Sequence, residues 1–200
     1  MILCLITSGD GSSLESIHEA AASGVDLVQI REHTLPARSL LMMVREAMAT
    51  TAGTSCRVLV NDRLDIALAA EAAGVHLRAD SVAAPRVRML APAGFIVGRS
   101  VHGPGEAAAA TREGGCDYLI FGTVFPSASK PPGHIVAGIP VLRDVCRATT
   151  LPVVAVGGMT VENVPEVIRA GARGIAGIEL FRDAGAIRSK VEQLRQQFDT

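Results

Sequence analysis

Eight short apolar runs alternate along the chain with longer amphipathic stretches of about 10–16 residues, the period expected of a strand–helix repeat. Each unit of this kind adds one strand to a parallel sheet, because the helix carries the chain back across the face of the sheet. We predict strands at Ile2–Ile6, Leu27–Ile30, Val58–Val60, Val75–Leu77, Phe95–Val97, Tyr118–Phe121, Val153–Val156 and Gly174–Ile178. We predict helices at Ser13–Ala22, Ala37–Thr51, Leu64–Ala73, Ala84–Leu90, Gly105–Glu113, Val141–Thr149, Val161–Ala170 and Ala186–Phe198.

A glycine-containing phrase marks several junctions between a predicted helix and the next strand. It occurs at Ser23–Asp26, Ala73–His76, Gly114–Asp117 and Ala170–Arg173. Glycine just after a helix can adopt the left-handed conformation that reverses the chain tightly. Eight such units predict an α/β fold, a single (β/α)8 TIM barrel over residues 1–200, with an open doubly wound sheet as the competing architecture.

The composition excludes several classes of function. Hydrophobic residues make up 48% of the chain, which is typical of parallel sheets buried on both faces. The net charge is −1 without any block of like charge, so we predict no nucleic-acid partner and no attraction to an anionic membrane. No apolar run is long enough to cross a bilayer, and we expect a cytoplasmic protein. The four cysteines lack metal-ligand spacing and are interpreted as core residues, with one reactive thiol as the alternative.

Polar residues gather where the predicted strands end, and barrels of this kind build their active sites at that end. They are Gln29, Arg31, Glu32, His33, Asn61, Asp62, Arg63, Arg78, Asp80, Arg99, Ser100, His102, Ser127, Ser129, Lys130, Glu179 and Arg182. Side chains that converge from so many strands predict a pocket for a small molecule.

Two adjacent glycines, Gly157 and Gly158, follow the predicted seventh strand. Because they carry no side chain, a ligand can approach their backbone, and the amides that open the next helix can face an anion. The loops after strands 7 and 8 are the usual phosphate site of barrels. We therefore predict a phosphate site here, and a tight turn that requires glycine for its dihedral angles is the alternative.

His102 stands at the end of the predicted fifth strand. It is the natural acid or base of the pocket, because imidazole titrates near neutrality. An exposed loop histidine is the alternative. His76 lies inside the fourth strand, which favours a hydrogen-bonded core residue. In the long loop after strand 6, Ser127, Ser129 and Lys130 can clamp an oxyanion when the loop closes. A polar loop without this role is the alternative.

Seven motifs together resemble the thiamine phosphate synthase/TenI family over nearly the whole chain. The resemblance implies the barrel fold and a small phosphorylated thiazole as ligand. It implies one of two reactions: a synthase that joins a pyrimidine diphosphate to thiazole phosphate with Mg²⁺, or a TenI-type tautomerase that aromatises a thiazole phosphate carboxylate without a metal. The motifs are Gln29–Glu32, Val60–Asp65, Gly74–Leu77, Gly98–His102, Asp117–Gly122, Ser127–Lys130 and Val156–Thr160.

The chain departs from the synthase pattern near the expected metal and diphosphate positions. Synthases usually carry a lysine that holds the diphosphate where His33 stands. Asp62 matches one metal-binding aspartate, but Ser81 stands at the position of the other, and Asp80 comes one residue early. A hard cation that has lost one carboxylate is held less well. These departures favour the tautomerase branch, whose catalytic histidine corresponds to His102.

Two further features concern the anion sites. Ser127, Ser129 and Lys130 resemble the loop with which synthases grip pyrophosphate, which favours the synthase branch. Glu179 replaces the serine common after strand 8, where a carboxylate would repel a phosphate. The backbone amides of Ile178 and Glu179 can still serve if the side chain turns away.

We therefore expect a cofactor-free tautomerase of the TenI type, in which His102 shuttles the proton. Arg31, Asn61 and Ser100 orient the ring and its carboxylate, since a guanidinium matches two carboxylate oxygens. The first alternative is a Mg²⁺-dependent thiamine phosphate synthase with Asp62 and Asp80 on the metal. The second is a non-catalytic barrel that binds thiazole or thiamine phosphate as a regulator. The sequence leaves a homodimer open. The predicted phosphate contacts are Gly157, Gly158, Ile178 and Glu179, and the predicted polar contacts are Arg31, His33, Asn61, Asp62, Ser100, Ser127, Ser129 and Lys130.

Overall fold

Eight parallel strands close into a barrel in the computed structural model, which describes residues 1–9, 14–127, 133 and 135–198. The strands are β1 (Ile2–Ile6), β2 (Leu27–Ile30), β3 (Arg57–Asn61), β4 (Gly74–Leu77), β5 (Ile96–Val101), β6 (Tyr118–Gly122), β7 (Val153–Val156) and β8 (Gly174–Gly177). Each strand pairs with the next, and β8 pairs with β1 to close the ring. The predicted (β/α)8 TIM barrel is confirmed.

Helices cover the outside of the barrel, one after each strand in the described ranges. They are α1 (Leu14–Ala22), α2 (Ala37–Thr50), α3 (Leu64–Ala70), α4 (Ala84–Arg88), α5 (Pro104–Glu113), α6 (Gly138–Arg147), α7 (Val164–Arg169) and α8 (Ala184–Phe198), with a short 3₁₀ helix at Glu179–Phe181. In α2 the buried residues Leu40, Val44 and Ala47 recur at helical spacing, so one face contacts the sheet. Within these ranges no helix combines the length and apolarity that a bilayer crossing demands.

The alternation of side chains along a strand places the cavity of the barrel directly beyond its interior core. Leu27 and Leu59 belong to the apolar cluster that fills the interior. Two residues further along the same strands stand Gln29 and Asn61, which line a cavity at the carboxyl ends. Strands β2 and β3 therefore change from apolar to polar at the level where the interior core ends.

Tyr118 fills the part of the interior next to Gly98. A Cβ atom added to Gly98 would lie 2.2 Å from Cζ of the Tyr118 ring, so a residue with a side chain cannot occupy this position without displacing the tyrosine. The hydroxyl group of the buried Tyr118 is then within reach of the polar layer above it.

Among the element boundaries that differ from the predicted ones are the end of β5 and the start of α7, both near the site. Strand β5 extends to Val101 and includes Arg99 and Ser100, because the ladder with β6 continues past the apolar run. Helix α7 begins at Val164 and not at Val161. The amide of Thr160 donates to Oδ1 of Asn163 at 3.0 Å, so a capped turn separates the glycines from the helix.

The glycine phrase holds at some junctions and is wrong at one. Gly24 and Gly171 adopt positive φ angles of 92° and 106° after α1 and α7, as predicted. After α3 the left-handed cap is Glu71, with φ 59°, and Gly74 lies within β4. There a Cβ atom would stand 2.1 Å from the carbonyl oxygen of Ile96, so this glycine serves close strand packing instead.

Candidate active site

A cavity of about 680 Å³ opens at the carboxyl ends of the strands. His102 from the end of β5 and Gly157 from the end of β7 line this same cavity. The convergence of strand ends therefore brings half of the predicted polar contacts to one place. The predicted residues that line it are Arg31, His33, Asn61, Asp80, Ser100, His102, Gly157 and Ile178.

His76 forms the centre of the cavity floor. Its Nδ1 atom lies 3.1 Å from the hydroxyl oxygen of Tyr118, and its Nε2 atom lies 2.9 Å from Oγ of Ser100. Burial lowers the pKa of His76 from its ordinary value near 6.5 to about 3. The ring is therefore neutral near pH 7, donating through one nitrogen and accepting through the other, and these contacts hold Oγ of Ser100 in place.

A pair of side-chain amides lies beside this histidine. Nε2 of Gln29 donates to Oδ1 of Asn61 at 2.9 Å, and both residues line the cavity. Oε1 of Gln29 is buried without a hydrogen-bond partner in the part of the chain that the structure describes. A buried acceptor of this kind is normally satisfied, so it is suited to a donor group on a bound ligand.

Asp62 and Ser81 meet next to the lining residues Asn61 and Asp80, although Asp62 and Ser81 do not themselves line the cavity. The Ser81 hydroxyl donates to Oδ1 of Asp62 and also accepts the amide of Arg78 at 2.9 Å. Asp62 adopts a positive φ of 62°, a conformation that aspartate tolerates better than most residues. Asp80 instead forms an ion pair with Arg78, with Nη2 and Oδ2 separated by 2.8 Å.

Of the predicted metal pair, Asp62 is therefore in contact with Ser81, and Asp80 is bound to Arg78. Over the described ranges no three His, Cys, Asp or Glu side chains cluster at metal-binding distance. One carboxylate and one hydroxyl nevertheless fit a Mg²⁺ ion that takes its remaining oxygens from a bound diphosphate and water, as is common for this metal. The donor set thus fits magnesium with help from a ligand.

Two arginines and a histidine lie together at the mouth of the cavity. Arg31, His33 and Arg78 all line it. The pKa of His33 is lowered by partial burial and by the guanidinium groups of Arg31 and Arg78, while Glu32 and Asp62 oppose this shift. The two arginines are therefore close enough to act electrostatically on the same imidazole, and the three groups face a common volume.

A second cavity of about 230 Å³ adjoins the first, since Gly157 and Ile178 line both. Ser127, Gly158 and Glu179 complete the predicted residues along it. The structure therefore separates the predicted contacts into two neighbouring compartments. The predicted residues Ser129 and Lys130 lie outside the described residues.

Gly157 and Gly158 form a glycine wall of the second cavity that packs tightly against the loop after β6. A Cβ atom on Gly158, whose φ is 61°, would lie 2.3 Å from the carbonyl oxygen of Pro126. The amides of Gly157 and Gly158 take part in none of the turn and loop hydrogen bonds among the described residues. The wall is thus backbone on its cavity side, as an anion site requires.

Glu179 faces this second cavity but its charge is paired. Oε1 of Glu179 accepts a hydrogen bond from Nη2 of Arg182 at 2.7 Å. The carboxylate that we expected to repel a phosphate therefore carries its own counter-charge. Arg182 brings a permanent positive charge to the rim of the compartment.

His102 is an exposed residue that lines the main cavity. Its backbone amide donates to Oε2 of Glu106 at 2.8 Å, which holds the start of α5 against the end of β5. The imidazole is thus available to solvent and ligand, in contrast with the buried His76.

The sequence interpretation gave too little weight to three residues. His76 and Gln29 are polar residues inside short apolar strands, and a buried polar side chain needs a partner that only the fold reveals. Arg78 stands one residue after β4, and its place in the cavity was signalled by that position alone. The arrangement as a whole suits a polyanion at the mouth, a heterocycle on the floor and a phosphate in the smaller compartment.

Comparison with known proteins points in one direction. The family profile described as thiamine monophosphate synthase matches residues 3–181. The thiamine-phosphate synthase of Methanoculleus marisnigri is 38% identical over 180 residues, which cover 89% of this chain and 84% of that protein. A putative thiamine-phosphate synthase of Geobacter sulfurreducens is 42% identical over 169 residues, with 84% and 79% covered.

A solved structure agrees with these relatives. The thiamine phosphate pyrophosphorylase from Pyrococcus furiosus superposes with a TM-score of 0.85 and 32% sequence identity. The match covers 99% of this chain and 95% of that one, so the whole barrel corresponds.

Proposed function

The chain belongs to the thiamine phosphate synthase/TenI family, and on that premise we propose that it is a thiamine-phosphate synthase, which joins a pyrimidine diphosphate to a thiazole phosphate. The curated relatives carry the name of the synthase, so they favour this alternative over the tautomerase that the sequence led us to expect. The observation that carries the proposal is the pair of adjoining cavities, one with cationic groups and one with a glycine wall. Two anionic substrates that must meet require two such compartments.

The smaller cavity suits the thiazole phosphate. Backbone amides of Gly157 and Gly158 would face its phosphate, together with those of Ile178 and Glu179. The ring would then lie toward Gly157, where the two cavities join. This arrangement directs the thiazole at the larger cavity, where the second substrate has to lie.

The larger cavity suits the pyrimidine diphosphate. Oε1 of Gln29 offers an acceptor to a ring donor, and the Ser100 hydroxyl, oriented by neutral His76, offers a second polar contact. Arg31 and His33 face the diphosphate end. Holding both rings in one orientation converts a bimolecular coupling into a step between bound neighbours.

Groups at the mouth of the cavity would stabilise the negative charge of the leaving diphosphate. Asp62, with the Ser81 hydroxyl beside it, would hold a Mg²⁺ ion. When bound, the ion supplies positive charge that neutralises the departing diphosphate. The new bond joins the two heterocycles as the bond to the diphosphate breaks, and Arg31 keeps its charge on the released anion throughout.

Incubation of the protein with hydroxymethylpyrimidine diphosphate, thiazole phosphate and Mg²⁺ tests the proposal. We expect thiamine phosphate and pyrophosphate in equal amounts, and a large loss of rate in D62N. The variant R188Q is a suitable control, because Arg188 is an exposed residue of α8 that pairs with Glu19 on the helical layer. Tight binding of the product without turnover of either substrate would instead favour the non-catalytic barrel.

One observation keeps the tautomerase as a second candidate. The exposed residue His102 lines the main cavity, where a base could move a proton between two carbons of a bound ring. The test is conversion of the non-aromatic thiazole carboxylate phosphate in the presence of EDTA. If this reaction occurs, H102A must abolish it; if it is absent, His102 has no such role.

A further inference from the structure

Arg78 is a cation of the main cavity that the proposed coupling reaction has not yet used. It lies directly after β4 and lines the cavity together with Arg31 and His33. Its guanidinium lies near enough to His33 to disfavour the charged imidazole, as does that of Arg31. Two guanidinium groups that both act on one imidazole across a shared volume are best explained by a ligand of high negative charge.

The present partner of Arg78 is weakly held. Nη2 of Arg78 lies 2.8 Å from Oδ2 of Asp80, and the side chains are 52% and 71% exposed. Exposed ion pairs contribute little, because water screens both charges. A ligand with several negative charges can therefore displace Asp80 from the guanidinium.

The backbone of Arg78 is fixed while its side chain can change partners. The amide of Arg78 donates to Oγ of Ser81, whose own hydroxyl donates to Asp62. Arg99 holds the same loop from the other side, since its Nη2 donates to the carbonyl oxygen of Ala79 at 2.9 Å. The loop thus presents the arginine at a set position beside Asp62.

We propose that Arg78 exchanges Asp80 for the diphosphate of the substrate, so that Arg31, His33 and Arg78 form a diphosphate site that binds without a divalent metal. A guanidinium fork suits two phosphate oxygens, which gives this site a strength that a single ammonium group lacks. A second metal-binding carboxylate would help to hold a cation beside the diphosphate. In this chain the guanidinium groups supply part of that positive charge. The inference rests on the proposed function for the identity of the ligand, and the chemistry is that of any diphosphate.

Calorimetric titration in EDTA tests the site with two probes, inorganic pyrophosphate and hydroxymethylpyrimidine diphosphate. We expect R78Q to weaken the binding of both by about tenfold or more, as for a lost charge-assisted hydrogen bond. R78K should fall between R78Q and the unmodified protein, because it keeps the charge and loses the fork. D80N should tighten binding, since it removes the competing carboxylate, and R188Q should leave it unchanged. If R78Q weakened the binding of the pyrimidine compound alone, the inference would be contradicted, because a diphosphate site must also bind the free anion.

Equal binding by R78Q and the unmodified protein in EDTA would overturn the inference. The inference would also be overturned if D80N bound pyrophosphate normally in EDTA but weakly with Mg²⁺, because Asp80 would then be a metal ligand. Thermal unfolding of each variant separates lost binding from lost folding. The proposed function is judged separately by product formation: a protein that binds pyrophosphate through Arg78 but makes no thiamine phosphate would refute the synthase and leave this site standing.

Discussion

The Nε2 atom of His76 lies 2.9 Å from Oγ of Ser100, and this contact joins the buried interior of the barrel to the floor of the cavity. On the other side of the ring, Nδ1 reaches the hydroxyl group of the buried Tyr118. The imidazole is thus held between two hydroxyl groups of neighbouring strands. A ring that remains neutral in such a position orients Ser100 and does not exchange protons with a substrate.

The low pKa of His76 predicts how the free energy of unfolding depends on pH. In the unfolded chain this histidine titrates near 6.5, and in the folded chain near 3. Between these values the unfolded state binds a proton that the folded state does not, so stability falls as the pH drops below about 6.5 and is unaffected above it. From pH 7.5 to pH 5 the loss from this residue is about 2 kcal/mol.

Urea unfolding of the unmodified protein and of H76N at both pH values measures this contribution. The difference in unfolding free energy between the two pH values should be smaller in H76N by that amount. The same pH dependence in both proteins would show that His76 titrates normally.

The fold was accessible to sequence analysis because the repeat is local. A buried strand and an amphipathic helix each have a period that can be counted, and eight copies leave little choice of topology. The end of β5 was missed because an apolar run stops at Gly98, whereas backbone pairing with β6 continues through Arg99 and Ser100. Hydrogen bonding along a strand does not depend on the polarity of its side chains.

The site was accessible only in part. Position at a strand end was enough to predict His102, Asn61 and Arg31 as cavity residues. The contacts between side chains could not be predicted from the sequence. The contact of Ser81 with Asp62, for example, depends on where the loop after β4 turns. The pairing of Glu179 with a nearby arginine likewise needed the 3₁₀ turn after β8.

The replacement S81D should strengthen the binding of Mg²⁺. A carboxylate beside Asp62 would attract a divalent ion more than a hydroxyl group does. We expect the Mg²⁺ concentration for half-maximal synthase activity to fall in S81D and to rise in D62N. The variant S55D adds the same charge before β3, at the opposite end of the strands, and should leave this concentration unchanged. An equal shift in S55D would mean that net charge alone is responsible.

The ion pair of Glu179 and Arg182 should control the binding of thiazole phosphate. R182Q leaves an unpaired carboxylate at the smaller cavity, so we expect KM for thiazole phosphate to rise about two- to fivefold. E179Q should lower KM, and the double variant E179Q/R182Q should return close to the original value. Because both side chains are about half exposed, these differences should shrink at high salt. A rise in KM that the double variant fails to reverse would contradict this assignment.

Gly158 is predicted to be the least replaceable residue of the glycine wall. In G158A the alanine would have to adopt the left-handed backbone conformation of Gly158. Its methyl group would lie 2.3 Å from the carbonyl oxygen of Pro126 and 2.8 Å from Cβ of Phe125. Strain and overlap together should lower the free energy of unfolding by about 2 kcal/mol or more and weaken thiazole phosphate binding.

The matched control is G105A on α5, where a Cβ atom meets no neighbouring atom within 4 Å and φ is not positive. Alanine is the better helix former, so its unfolding free energy should stay the same or rise by up to about 1 kcal/mol. Urea unfolding of both variants provides the measurement. G158A could be as stable as G105A and bind thiazole phosphate normally only if the loop after β6 moved away from the new methyl group without a loss of stability. That result would show that the close packing of Gly158 against this loop does not affect phosphate binding in the smaller cavity.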